Sequence, residues 1–327
     1  MNPSRRMLIA ALGSAPILSL VAQRALAAYP DRPIHLIVPF AAGGNADIVA
    51  RITGDLISKA LGQPVVVENR GGGGSIGAGF VAHATPDGYT LLVGSNGPLT
   101  VDPLLHANLG YDPLKDFTAV ALTSYVPHAL ILSNKIQAKT MTELVAQSKN
   151  AAVTIATSGI GSATHMTLER LKAATGANLT HVPYRGGGAL MPDLISGNVD
   201  GAMTEFSTAL PMHQGGQAHI IAITALHRSK LAPDIPTLDE SDVKGFTAQS
   251  YIGVVAPAKT PADVVDKLQQ AIAQGLSSGS PAAERLISLG SEVASPHQMT
   301  ANGFAEFIRA DYENMREAAK FAGITPQ

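Results

Sequence analysis

Apolar and polar positions change rhythm repeatedly from residue 29 onward. IHLIVPF (34–40) is a short apolar run that stops at glycines and reads as a buried strand. Residues 47–61 then carry Ile48, Ile52 and Leu56 on one face at helical spacing. Asp47 with Arg51, and Asp55 with Lys59, pair at four-residue spacing on the outer side of that helix. PVVVEN (64–69) predicts a second strand, AGFVAHA (78–84) a short helix and YTLLVGS (89–95) a third strand. Glycine-rich connections, AAGGNAD (41–47) and RGGGGSIG (70–77), separate strand from helix each time.

The middle of the chain repeats that order. VTIATS (153–158), HMTLERLKAATG (165–176), NLTHVPY (178–184), ALMPDLISG (189–197) and VDGAMTE (199–205) alternate as strand, helix, strand, helix and strand. HIIAITA (219–225) and YIGVVAP (251–257) are further strands, and after Pro261 the pattern is mostly helical, with breakers at Gly275, Pro281, Gly290 and Pro296. Two βαβαβ units imply two α/β lobes. The expected boundaries are 28–126 with 251–327 for lobe I and 127–250 for lobe II, with chain crossings near Tyr125–Pro127 and Ala248–Tyr251. Two parallel sheets would then present the carboxyl ends of their strands to a shared cleft.

Composition narrows the class. A length of 327 residues suits two domains. A net charge of −2 without like-charge blocks argues against a nucleic-acid partner. The absence of cysteine removes disulfides, thiolate metal sites and a cysteine nucleophile. The first 27 residues join a basic start (MNPSRR), an apolar stretch too short to span a bilayer comfortably, and small residues at Ala25 and Ala27. They read as a secretory signal peptide, Sec-type or twin-arginine in view of Arg5-Arg6, so the mature protein is expected to be soluble and periplasmic.

Catalytic motifs find little support. Gly72, Gly74 and Gly77 fit a dinucleotide fingerprint, but the next strand ends in VGSN, without the ribose-binding acid. Gly73, Ser75 and Gly77 fit a nucleophile elbow, yet Ser75 lies several residues past the strand that should deliver it. An exported serine hydrolase using Ser75 is the alternative reading. The ten histidines are scattered without zinc-helix spacing, and no cofactor is expected. What remains is a set of polar, glycine-rich helix starts: AAGGNAD, GSNGPLT (94–100), SGIGSAT (158–164) and YRGGG (184–188). Helix starts expose unpaired N–H groups and a positive dipole end, a surface that suits a carboxylate. Aromatic residues are only 5% and tryptophan is absent, so no aromatic cage is evident, although Phe40, Tyr184 and Phe206 could flank a ring.

Several segments together carry a resemblance. YPDRPIHLIVPFAAGGNADIVAR, LGQPVVVENRGGGGSIGA, ATPDGYTLLVGS, YDPLKDFTAV, SGIGSATHM, THVPYRGGGALMPDLISGNVD and DIPTLDE occur in that order. From Tyr29 on, the chain resembles the Bug-type extracytoplasmic solute receptors, the substrate-binding proteins of tripartite tricarboxylate transporters. The resemblance implies an α/β, two-lobed fold of the type II periplasmic-binding-protein kind, with a cleft between two doubly wound sheets. It implies a monomeric receptor rather than an enzyme, a small carboxylate ligand, and transporter subunits or a sensor as partners. Carried over by motif, the first-lobe contacts are Phe40, Ala41, Gly43, Gly44, Asn45, Asp47, Ser95 and Asn96. The second-lobe contacts are Ser158, Gly161, Ser162, His165, Tyr184, Arg185 and Gly186, with Thr204 and Glu205 at a ligand-facing position. Members often carry Pro-Thr at 45–46, Asn at 102 and Asp-Asn at 204–205. The last departure changes the charge facing the ligand, so substrate identity is not inherited.

Overall fold

A computed structural model describes residues 29–72 and 74–321. The signal peptide expected over 1–27, and Gly73, lie outside them. The first sheet is seeded by β1 (Ile34–Val38), α1 (Asn45–Leu61), β2 (Val65–Asn69), α2 (Ser75–Ala82) and β3 (Thr90–Gly94). β1 pairs in parallel with β2 on one side and β3 on the other. A π-helical turn (Gly97–Val101) and α3 (Asp102–Leu105) lead to β4 (Phe117–Ser133).

The second half follows as α4 (Met141–Ser148), β5 (Val153–Thr157), α5 (Ala163–Thr175), β6 (Leu179–Pro183), α6 (Gly187–Ser196), β7 (Gly201–Glu205), α7 (Phe206–Gln214) and β8 (Ala218–Ile223). β9 (Gln249–Pro257), α8 (Ala262–Gly275), α9 (Pro281–Ser288), β10 (Glu292–Val293) and α10 (Ala301–Phe321) return to the first half. The strand order is β2-β1-β3-β9-β4-β7-β5-β6, with β8 and β10 also on β4.

The sheets are mixed rather than purely parallel. β9 runs antiparallel to both β3 and β4, and β4 runs antiparallel to β7 and β8. β4 therefore belongs to both domains. Residues 117–127 pair with β9, while residues from His128 onward pair with β7 and β8. Pro127, which has no N–H to donate, stands at this change of partner, opposite Gln249. One core surrounds the first sheet, including Leu36, Leu92, Leu122, Val255, Leu268 and Phe304. Two smaller cores cover opposite faces of the second, one around Leu130, Ile155 and Leu168, the other around Ile131, Leu190 and Phe206. Burial on both faces explains why these strands read as continuous apolar runs. Among the described residues no helix is long and apolar enough to cross a membrane.

Candidate ligand-binding site

The parallel strands β1, β3 and β5 end beside one another, and the loops after them meet across the domain boundary. Phe40, Gly44, Asn45, Ser95 and Asn96 from the first domain face Ser158, Ser162 and Glu205 from the second around one cavity. The start of α1 and the start of α5 border it directly, and Gly187 brings the start of α6. Three helix starts thus direct first-turn N–H groups and the positive ends of their dipoles at one small volume. The cavity measures about 20 Å³, room for roughly one water. Small-molecule pockets generally run to a few hundred Å³, so an organic ligand enters only if the two domains part or their loops shift.

Other side chains proposed from sequence shape the walls. Asp47 is 4% exposed; it accepts from Gly43 N at 3.0 Å and from Arg51 through both oxygens. Burial alone would raise its pKa, but the bonds from Arg51, Gly43 and Asn69 together hold it below the usual carboxylate value. Asp47 thus fixes the turn before α1 and is not free to take a ligand. Asn69 Nδ2 donates to Phe40 O, tying the same turn to the end of β2. Ser162 caps α5, accepting from His165 N at 3.2 Å. The His165 ring stacks on His181 with centroids 4.1 Å apart, and its Nδ1 accepts from Gly161 N. Burial lowers the pKa of both histidines, that of His181 to about 4, so the stack is neutral at pH 7. Tyr184 donates to Asp193 Oδ2 at 2.5 Å, away from the cavity.

The domains touch through both backbone and side chains. Ala41 N donates to Arg185 O at 2.7 Å, and Ser207 Oγ donates to Asn45 Oδ1 at 2.9 Å. Gly186 and Gly188 lie directly on Phe40–Gly44, and a Cβ at Gly188 would collide with the Ala42 carbonyl. Arg185 contributes its carbonyl to this contact.

Gly187, within YRGGG, also lines the cavity, as do Ser250 and Ile252, to which no sequence motif pointed. Ser250 joins a buried chain of hydrogen bonds with Glu205. Its Oγ lies 2.8 Å from His128 Nε2 and 3.4 Å from Glu205 Oε1, and His128 Nδ1 is 2.9 Å from Thr167 Oγ1. Ser158 and Thr204 hydroxyls reach Glu205 Oε2 at 3.5 and 3.3 Å. Burial pushes Glu205 above the usual carboxylate range and drives His128 down to about 3, so His128 is neutral. Except for Thr204, these contacts join segments remote in sequence, so only proximity to the crossings near Pro127 and Tyr251 could have signalled His128 and Ser250.

Ser75 opens α2 behind a glycine with φ of 111°, six residues beyond the end of β2. It hydrogen-bonds no histidine among the described residues, and the elbow geometry is not formed. Gly77 serves packing instead: a Cβ there would press on Pro39 at 2.9 Å. No cluster of three metal-ligating side chains occurs among the described residues.

The chain matches the model of the tripartite tricarboxylate transporter family receptor over residues 49–320. It is 38% identical over 318 residues to the UPF0065 protein of the TAR-I ttuE-ttuC' intergenic region of Agrobacterium vitis, covering 96% of this chain and 91% of that one. Among solved structures it is similar to the periplasmic binding protein BugD, with a TM-score of 0.87, 36% identity, and coverage of 91% of this chain and 100% of that one. It is also similar to MatC of Rhodopseudomonas palustris, solved with bound malate, with a TM-score of 0.83, 33% identity, and coverage of 88% and 99%. On these matches in sequence and fold, this chain belongs to the Bug-type periplasmic solute-binding proteins, the tripartite tricarboxylate transporter receptor family.

Proposed function

We propose that this protein is a periplasmic receptor that captures a small organic acid between its two lobes and delivers it to a tripartite tricarboxylate-type transporter. It acts by binding, as a monomer, without chemistry. Lobe I comprises 28–126 and 251–327, lobe II comprises 127–250, and an N-terminal leader exports the chain. The observation that carries the reading is the convergence of the α1, α5 and α6 starts from both sides of the domain boundary on one cavity. A carboxylate docked there receives backbone N–H groups without an Arg or Lys. The malate bound to MatC is a ligand of that chemistry in a relative. Phe40, Gly44, Asn45, Ser95, Asn96, Ser158, Ser162 and Glu205 are the proposed contacts. Ala41, Gly43, Asp47, Gly161, His165, Tyr184, Arg185, Gly186 and Thr204 shape and brace them.

A thermal-shift screen against small carboxylates, on protein freed of ligand by unfolding and refolding, tests this. Ligand at a hundredfold excess over its Kd adds about 2.7 kcal/mol, which raises the midpoint by roughly 4 °C for a chain of this size if it unfolds as one unit. Selective shifts by one class of acid support the receptor. A flat response across mono-, di- and tricarboxylates overturns it.

A further inference from the structure

Glu205 is the one ionisable side chain among the described residues that line the cavity. It closes β7 at the carboxyl end of the strand, where β4 and β9 pass from one domain to the other. Every group that approaches it is neutral. Ser158 reaches it from the end of β5, Ser250 from β9 and Thr204 from its own strand. From α6, Gly187 lies so near that a Cβ built there would sit 3.3 Å from Oε2. The one titratable side chain in this network is His128, joined through Ser250 and uncharged. No Lys or Arg pairs with Glu205 among the described residues.

The cavity is thus lined by groups of opposite tendency. The helix starts attract negative charge. Glu205 repels it, because two carboxylates in one site cannot both ionise without a counter-charge. A simple diacid meets Glu205 with the wrong sign. A molecule with a carboxylate at one end and a protonated nitrogen at the other satisfies both, and its nitrogen supplies the cation that Glu205 lacks. A charged hydrogen-bond donor also suits an acceptor already surrounded by neutral hydroxyls.

We propose that Glu205 is a specificity-determining residue that selects ligands pairing a carboxylate with a protonated amine over diacids of the same length. This rests on the receptor reading above. Binding of the amine ionises Glu205, so a proton is released wherever the free receptor still holds one. The amine's affinity therefore rises with pH until Glu205 is ionised in the free protein. A diacid shows the opposite slope, because its binding favours the protonated acid.

The test is isothermal titration of the refolded, ligand-free protein with two matched pairs, 4-aminobutyrate against succinate and 5-aminopentanoate against glutarate, between pH 5.5 and 8. The expected result at pH 7.5 is an amine-bearing member bound at least tenfold more tightly than its diacid partner, with affinity rising toward higher pH. Glu205→Gln, of nearly the same shape, is expected to cut that preference at least tenfold and flatten the pH slope. The wild-type pH slope stands without any variant, so it decides even if the variant fails to fold. A diacid that wins at pH 7.5 in the wild type, or a preference unchanged by Glu205→Gln, overturns the role of Glu205 and leaves the receptor standing. No binding by either member of either pair, together with a flat thermal screen, overturns both.

Discussion

At the scale of the residue, Asp102 is the clearest case of a side chain whose environment contradicts its charge. It is 1% exposed, and Oδ2 has no hydrogen-bond partner. It faces Gly74 from its own domain and Gly161 from the other. Burial pushes its pKa up to about 7. The folded protein therefore keeps a proton that the unfolded chain gives up near pH 4. Stability from this group is full below that range and falls as pH rises toward 7. Asp102→Asn removes the cost of ionisation. We expect it to stabilise the protein at pH 8 by on the order of 2–4 kcal/mol and to have little effect at pH 4. Denaturant melts at the two pH values check this, and equal changes at both would refute the account. The resemblance read from the sequence implies asparagine at this position. It does not show why that matters, because the apolar cover comes from Gly161, fifty-nine residues away.

At the scale of the element, the glycine contact between α6 and the loop before α1 sets how closely the domains approach. Gly188 lies on the Gly43–Gly44 backbone, with no room for a methyl group. Its substitution by Ala favours the isolated α6 helix by roughly 0.5–1 kcal/mol while wedging the closed state apart. Gly188→Ala is therefore expected to leave the melting temperature of the ligand-free protein within a few degrees and to weaken ligand binding at least tenfold. Unchanged affinity in a titration would show that the domains do not need this contact. The alternation of strands and helices was legible in the sequence, since strands buried on both faces give short apolar runs that end at glycine. β4 was not. Its seventeen residues contain Pro127, which reads as a breaker, and their pairing partners β7, β8 and β9 lie far along the chain. α7 was hidden in the same way by Pro211 inside it. The glycine-rich loops were legible as segments at the carboxyl ends of the strands, where they line the cavity; the carboxyl group that Glu205 adds depends on which strands cross beside it.

At the scale of the whole molecule, the proposed receptor function makes closure and binding one equilibrium. Across the loops that frame the cavity, the domains meet in contacts such as Ala41 N to Arg185 O and Ser207 to Asn45, where glycines bring the backbones together. Such hydrogen bonds contribute little free energy by themselves, since a typical one nets about 1 kcal/mol. The covalent links between domains pass through β4 and the start of β9, where Pro127 opposes Gln249 and the ladder changes partners. A ligand that touches α1 and α5 at once binds the closed form and not the open one, and it shifts the population by that difference in affinity. The Ala41 amide reports the shift, because its acceptor lies on the other domain. If exchange of this hydrogen requires the domains to part, ligand at a hundredfold excess over its Kd is expected to slow it by on the order of a hundredfold. Amides of β1, whose acceptors lie within the first domain, should gain protection only through global stabilisation. Hydrogen exchange at Ala41 that is indifferent to ligand, while ligand raises the melting temperature, would mean that the receptor binds without closing across this contact.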